Sequence, residues 1–182
     1  MKNVLTVIGI IVGAIILLFI IAMVTMVILV NSNNAYKGDK QQLLKGLSGK
    51  KALVVYQPSL SSASKALGES LAKGINEAGY EVTVSYPGKH LSGDVSGYDV
   101  IVMGTTVFAA QPSKLIAEFG AAVQGAADKK VVVYSLGGMA EAPELDTLAA
   151  YFKDSTVVKH KFLANEDTKT AAYQLGLNID KE

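Results

Sequence analysis

Cysteine is absent from the 182 residues. That excludes disulfide frameworks, thiolate metal sites and any phosphatase built on a loop cysteine. Histidine occurs only at His90 and His160, neither beside another plausible metal ligand, so both are expected to be solvated and no metal site is expected. Charge of one sign is scarce too. From Lys51 onward twelve Lys stand against fifteen acids. No basic face marks a nucleic-acid binder. No general acid, base or nucleophile stands out, which argues against a hydrolytic enzyme.

What is present begins with an apolar run. Val4 to Val30 holds only apolar residues, Gly and Thr. A helix of that length, at ~1.5 Å per residue, exceeds the ~30 Å hydrocarbon core of a bilayer. The run is expected to be a transmembrane anchor helix (residues 1–30) in contact with membrane lipid. A cleaved signal peptide is the rival, given the short basic start Met1-Lys2. Its apolar stretch would be shorter, about 7–15 residues, and Asn33-Asn34-Ala35 lacks the small first residue of a cleavage site. Gly9 and Gly13 form a Gly-x-x-x-Gly pair that would suit a helix-mediated dimer, although chance supplies such pairs in a Gly-containing run. Lys37, Lys40, Lys45 and Lys50 follow with only Asp39 against them. By the positive-inside count the downstream part, in a single-pass membrane protein, is expected to face the cytoplasm, although a two-residue basic head before a long apolar stretch is also how an export anchor begins. The basic stretch would suit anionic headgroups equally well.

Residues 31–49 read as a polar, basic tether with a helical turn at Gln41–Leu47. From there the pattern alternates. Strands are expected at Lys51–Tyr56, Tyr80–Ser85, Tyr98–Met103, Lys129–Tyr134 and, at a sheet edge, Thr156–Phe162. Helices are expected at Ser64–Ala78, Pro112–Gln124 and Glu141–Phe152, then from a cap at Asn165 to about Leu177. The turn-rich PGKHLSGDVSG after the second strand is too short for a good helix. Short apolar strands alternating with amphipathic helices imply an α/β domain over residues 50–182, with a parallel sheet covered on both faces.

Ligands of such sheets sit at the carboxyl ends of the strands. Three loops lie there: QPSLSSAS (57–64), GTTVFAAQP (104–112) and SLGGMAEAP (135–143). The first has no Gly, so it is neither a dinucleotide fingerprint nor a P-loop. No Asp ends the third strand, so it is no phospho-accepting receiver. Ser59, Ser61, Ser62 and Ser64 offer hydroxyls where a helix begins, and free N–H groups there favour a phosphate. As turn and cap residues they would need no ligand. Phe108 offers a ring for stacking and Gly137-Gly138 a flat backbone floor. Phosphate pocket, aromatic wall and floor together describe an FMN site.

These segments resemble a family. "SSASKALGESLAKGINEAGYEVTV", "YDVIVMGTTVFAAQPS" and "KKVVVYSLGG" are similar, in order, to the phosphate loop, third strand and fourth strand of flavodoxins. Behind its anchor the chain looks like a membrane-tethered flavodoxin-domain protein. The resemblance implies a five-stranded parallel sheet of order 2-1-3-4-5 with helices on both faces, and FMN as cofactor. It assigns FMN contacts to Ser59, Ser61, Ser62, Ala63 and Ser64, to Thr105, Thr106 and Phe108, and to Ser135, Gly137 and Gly138. Ser62 stands where the family usually has Gly, and no Trp is available for stacking. Electron transfer to a redox partner protein or a quinone is the implied function, as a carrier or a reductase. A flavin-free interaction module at the membrane is the alternative.

Overall fold

A computed structural model describes residues 2–182, without the side chains of residues 2, 3 and 5. Met1, part of the basic start, lies outside the described residues. The chain divides into two units, the first ending at Ser32 and the second running from Asn33 to Glu182. The first is helical throughout, within α1 (Lys2–Asn34). Thr6–Asn34 contains an 18-residue window with a mean hydropathy of 3.3 and is long and apolar enough to cross a membrane.

The second unit is built on one six-stranded sheet: β1 (Gln41–Leu44), β2 (Lys51–Tyr56), β3 (Glu81–Ser85), β4 (Val100–Thr106), β5 (Lys130–Gly137) and β6 (Thr156–Leu163). The spatial order is β1-β3-β2-β4-β5-β6. From β3 to β6 every pairing is parallel, and this is the expected 2-1-3-4-5 arrangement with β6 at an edge. All seven residues of β4 are buried, the signature of a strand covered on both faces.

The covering is two-sided because side chains alternate along each strand. Ala52, Val54 and Tyr56 of β2 pack with Leu67, Leu71 and Ile75 of α2 (Ser62–Glu77) and with Ala172 and Leu175 of α5 (Thr168–Leu177). Leu53 and Val55 point the other way, to Ile116 and Phe119 of α3 (Lys114–Ala122) and to Leu145 and Leu148 of α4 (Pro143–Ala149). Each fully buried Val, Leu or Ile among these contributes roughly 1.5–3 kcal/mol. Gly74 of α2 and Gly176 of α5 let the two backbones touch. A Cβ on Gly176 would meet the Leu71 carbonyl, and Ile75 N at 2.9 Å.

Four expectations are corrected. Gln41–Leu44 is a strand, not a helical turn. It pairs antiparallel with β3, Gln41 opposite Ser85 and Leu44 opposite Val82. Gln, Leu and Lys favour a helix, but an open β3 edge offers unpaired N–H and C=O groups, and pairing wins. The sheet also has six strands rather than five, and is mixed at that edge. Asp167, not Asn165, caps α5; its Oδ1 accepts the Thr170 N–H at 3.2 Å. His160 is half-buried against Phe162, and His90 is not simply solvated either. Its Nδ1 lies 2.7 Å from the Asp39 carboxylate, and its Nε2 is within reach of the Ser85 hydroxyl and the Lys40 carbonyl.

Candidate functional site

At the carboxyl edge, β2, β4 and β5 run in register through Tyr56, Gly104 and Tyr134. Gly104 is required there, because a Cβ would overlap the Tyr134 ring. Pairing continues past the expected strand ends, Thr105 opposite Ser135 and Thr106 opposite Leu136. Those residues therefore belong to strand ends rather than free loops.

The loop after β2 leads into α2. Ser61 is the N-cap residue, yet its hydroxyl makes no capping bond. It lies instead 3.1 Å from the Ser59 hydroxyl, which also reaches the Ser61 carbonyl at 3.1 Å. Ser64, only 5% exposed, takes the Ser59 N–H at 2.7 Å and donates to Ser59 Oγ at 3.0 Å. The serine loop is closed on itself, with Ser61, Ser62 and Ala63 exposed at the uncapped helix start. That start carries the positive end of a 16-residue helix.

Beyond β4, Thr105 Oγ1 donates to the Thr106 carbonyl at 2.9 Å and accepts the Ser113 N–H at 2.8 Å. Its hydroxyl is committed to shaping the loop. Phe108 and Gln111 exchange two backbone hydrogen bonds, 3.2 and 3.0 Å, around Ala109 and Ala110. Both alanines have positive φ, 49° and 60°. That conformation, normally given to Gly or Asn, costs an alanine roughly 1 kcal/mol.

Between this turn and the loop after β5 lies a cavity of about 320 Å³. Val107, Ala109, Ala110, Gly137, Gly138 and Met139 form its walls, and Glu144 and Lys161 its polar part. Phe108 is not among the lining residues; its neighbours in the turn are. Glu144 is fully buried. Its Oε1 accepts from Ser135 Oγ and from Lys161 Nζ, both at 2.6 Å, while its Oε2 has no partner among the described residues. Burial alone would raise the Glu144 pKa, but Lys161 and Ser135 outweigh it and hold the carboxyl below its usual range.

Sequence reasoning missed Glu144 and Lys161. It also missed Asn33 and Gln57, which meet at the junction of β2 and β4. Asn33 Nδ2 donates to Thr106 Oγ1 at 2.8 Å, and that hydroxyl donates to Asn33 Oδ1 at 3.0 Å. Gln57 Nε2 donates to the carbonyls of Asn33 (3.1 Å) and Ala35 (2.9 Å). Asn34 Oδ1 accepts the Lys114 N–H at the start of α3, 2.8 Å away. Helices leave β2 and β4 for opposite faces of the sheet, so this junction is the switch-point crevice where such folds take ligands. Here residues 33–35 bridge it.

The fit to FMN can be tested on these residues. At one end, exposed backbone and hydroxyls surround the uncapped start of α2. At the other, the ammonium of Lys161 and the open surface of Gly138 face a cavity within the lower range of small-molecule sites, ~300–1,000 Å³. Both ends fit, and the bridge of residues 33–35 would have to yield for the middle of such a ligand.

No family model and no curated protein matches the sequence. Solved structures do. A flavodoxin from Megasphaera elsdenii, in two-electron reduced form, matches with a TM-score of 0.60 at 20% identity, covering 72% of this chain and 99% of that one. An archaeal flavodoxin gives 0.55 at 19% identity, over 72% and 96%. Flavodoxin 2 from Bacillus cereus gives 0.56 at 14%, over 72% and 98%. At these identities the likeness concerns the fold. The chain carries a flavodoxin-like α/β domain behind an N-terminal apolar helix.

Proposed function

We propose that this is a membrane-tethered FMN protein that transfers electrons, with α1 as its anchor and the domain from Asn33 as the flavin carrier. The observation that carries the reading is a coincidence at one sheet end. A hydroxyl-rich, uncapped helix start and a ring-sized cavity occupy the two places a phosphate and a flat ring would need. When bound, FMN supplies the one- and two-electron chemistry.

The chain's own residues bind and orient. The N–H groups of Ser62 and Ala63 and the hydroxyls of Ser61 and Ser62 would hold the phosphate. Gly137 and Gly138 would lie against the ring. The exchange partner is a redox protein or a quinone, and the domain faces the cytoplasm, as the lysines of residues 37–50 favour.

A second reading, a flavin-free interaction module, draws on the Asn33 bridge. Polar contacts of the chain itself occupy the crevice. One preparation separates the two. Full-length protein purified in detergent and given FMN should show bound flavin absorption, and a colourless product favours the module. Ser61→Ala with Ser62→Ala then tests the phosphate end. Each hydrogen bond lost to a charged group costs roughly 1.5–3 kcal/mol, about tenfold or more in affinity. FMN should weaken by that factor and riboflavin, which lacks the phosphate, should not. Equal loss of both would remove the loop from the binding site.

A further inference from the structure

Two ion pairs link β6 to α4, and they differ in kind. Lys159 and Asp146 meet at 2.7 Å with side chains 47% and 73% exposed, an ordinary surface pair. One rung along, Lys161 and Glu144 meet at 2.6 Å with side chains 13% and 0% exposed. Burying a pair costs desolvation that its own attraction only partly repays. Here the environment adds to that cost, since Glu144 Oε2 has no partner among the described residues.

The ammonium of Lys161 is a three-fold donor. One N–H goes to Glu144 Oε1, and Nζ donates no other hydrogen bond among the described residues. Lys161 lines the cavity, and Gly137 keeps room for it: a Cβ there would lie 2.9 Å from Nζ and 3.6 Å from Val107 Cβ. Ser135 holds the carboxylate from beneath.

We propose that Lys161 is a recognition residue of this cavity, donating to an oxygen on the edge of a planar heteroaromatic ring, with Glu144 and Ser135 as its positioning residues. The inference rests on the FMN reading and deepens it. With FMN bound in this way, the charge on Lys161 would face an edge that gains electron density on reduction, and so would favour the reduced ring. Glu144 opposes it and sets the balance.

The two variants therefore shift the reduced-to-oxidised affinity ratio in opposite directions. In the full-length protein loaded with FMN, Lys161→Met should weaken reduced FMN about tenfold more than oxidised FMN. For a two-electron couple that is a potential lower by about 30 mV. Glu144→Gln should move it up by a similar amount. A purely structural pair would lower thermal stability in both variants and leave the ratio within about twofold of wild type. That outcome overturns the inference while the FMN reading stands. Shifts of the same sign in both variants overturn it too. Wild-type protein that takes up no FMN overturns both. Lys161→Met is the arm to rely on if Glu144→Gln fails to fold.

Discussion

The bridge at Asn33 makes a prediction in which stability and binding move oppositely. Asn33 is 7% exposed and Thr106 9%. Asn33→Ala removes both contacts between its amide and the Thr106 hydroxyl (2.8 and 3.0 Å) and leaves that hydroxyl buried without them. The expected cost is roughly 1–3 kcal/mol. For a domain of this size, Tm should fall by about 2–4 °C per kcal/mol. On the proposed function FMN, in contrast, would need the crevice that the bridge closes. Apparent affinity scales with the fraction of molecules already open, so loosening the bridge by ~1.4 kcal/mol raises affinity by up to about tenfold. Thermal unfolding followed by tyrosine fluorescence gives the first number, the chain having no Trp. Titration of FMN fluorescence in the same detergent gives the second. A variant that is less stable but binds FMN no better, or worse, refutes the argument. Asn33 would then be part of the site rather than a cover over it.

Three further outcomes follow from the same structure. Ala110→Gly should raise Tm by about 2–4 °C, since Gly meets no steric penalty at a φ of 60°; an unchanged or lower Tm would mean the turn holds no strain. Gly176→Ala should cost at least the ~1–3 kcal/mol typical of overpacking, because the new methyl enters the α2 backbone; denaturant unfolding measures it. His160 packs on Phe162 at 4.4 Å, and burial lowers its pKa below the ordinary value of 6.5, with Glu182 and Glu166 opposing. Its contribution is therefore complete above that unfolded value and is lost as pH falls through the lower, folded one. Acidification from about pH 7.5 to about pH 5 should lower the Tm of wild type more than that of His160→Gln, and equal drops would exclude His160 as a cause.

The inner strands of the sheet were legible because they are buried on both faces and so read as apolar runs. "VIVMG" and "KVVVY" admit few other interpretations, and the helices between them show their period through Leu67, Leu71 and Ile75 or Ile116 and Phe119. Element ends were less legible. Thr105, Thr106 and Ser135 look like loop residues, yet β4 and β5 pair through them, and only the neighbouring strand decides that. β1 was illegible for the same reason. Four residues, QQLL, carry too little pattern to outweigh helix propensity, and the open edge that captures them belongs to β3, some forty positions away.

The candidate site divides along a similar line. Serines before a helix advertise themselves locally, as does a Gly pair after a strand, so the two ends of the candidate site could be proposed from the sequence. What joins or guards them was not. Asn33 sits in a run of polar residues that reads as a tether, and its partner Thr106 is 73 positions distant. Glu144 reads as an acid in the first turn of a helix, a role that dipole arguments explain without any partner. One signal was available. Lys159 and Lys161 share a face of β6, and Glu144 and Asp146 open α4, so opposite charges stand on two elements that a βαβ crossover must bring together. Such a pattern can propose a ladder of ion pairs. Which rung turns inward depends on the cavity beside it, and that cavity exists because two alanines bend backward at 109 and 110 while Gly137 withholds a side chain. The chemistry-bearing residues of this site are ordinary in sequence, and their character comes from what the surrounding backbone leaves empty.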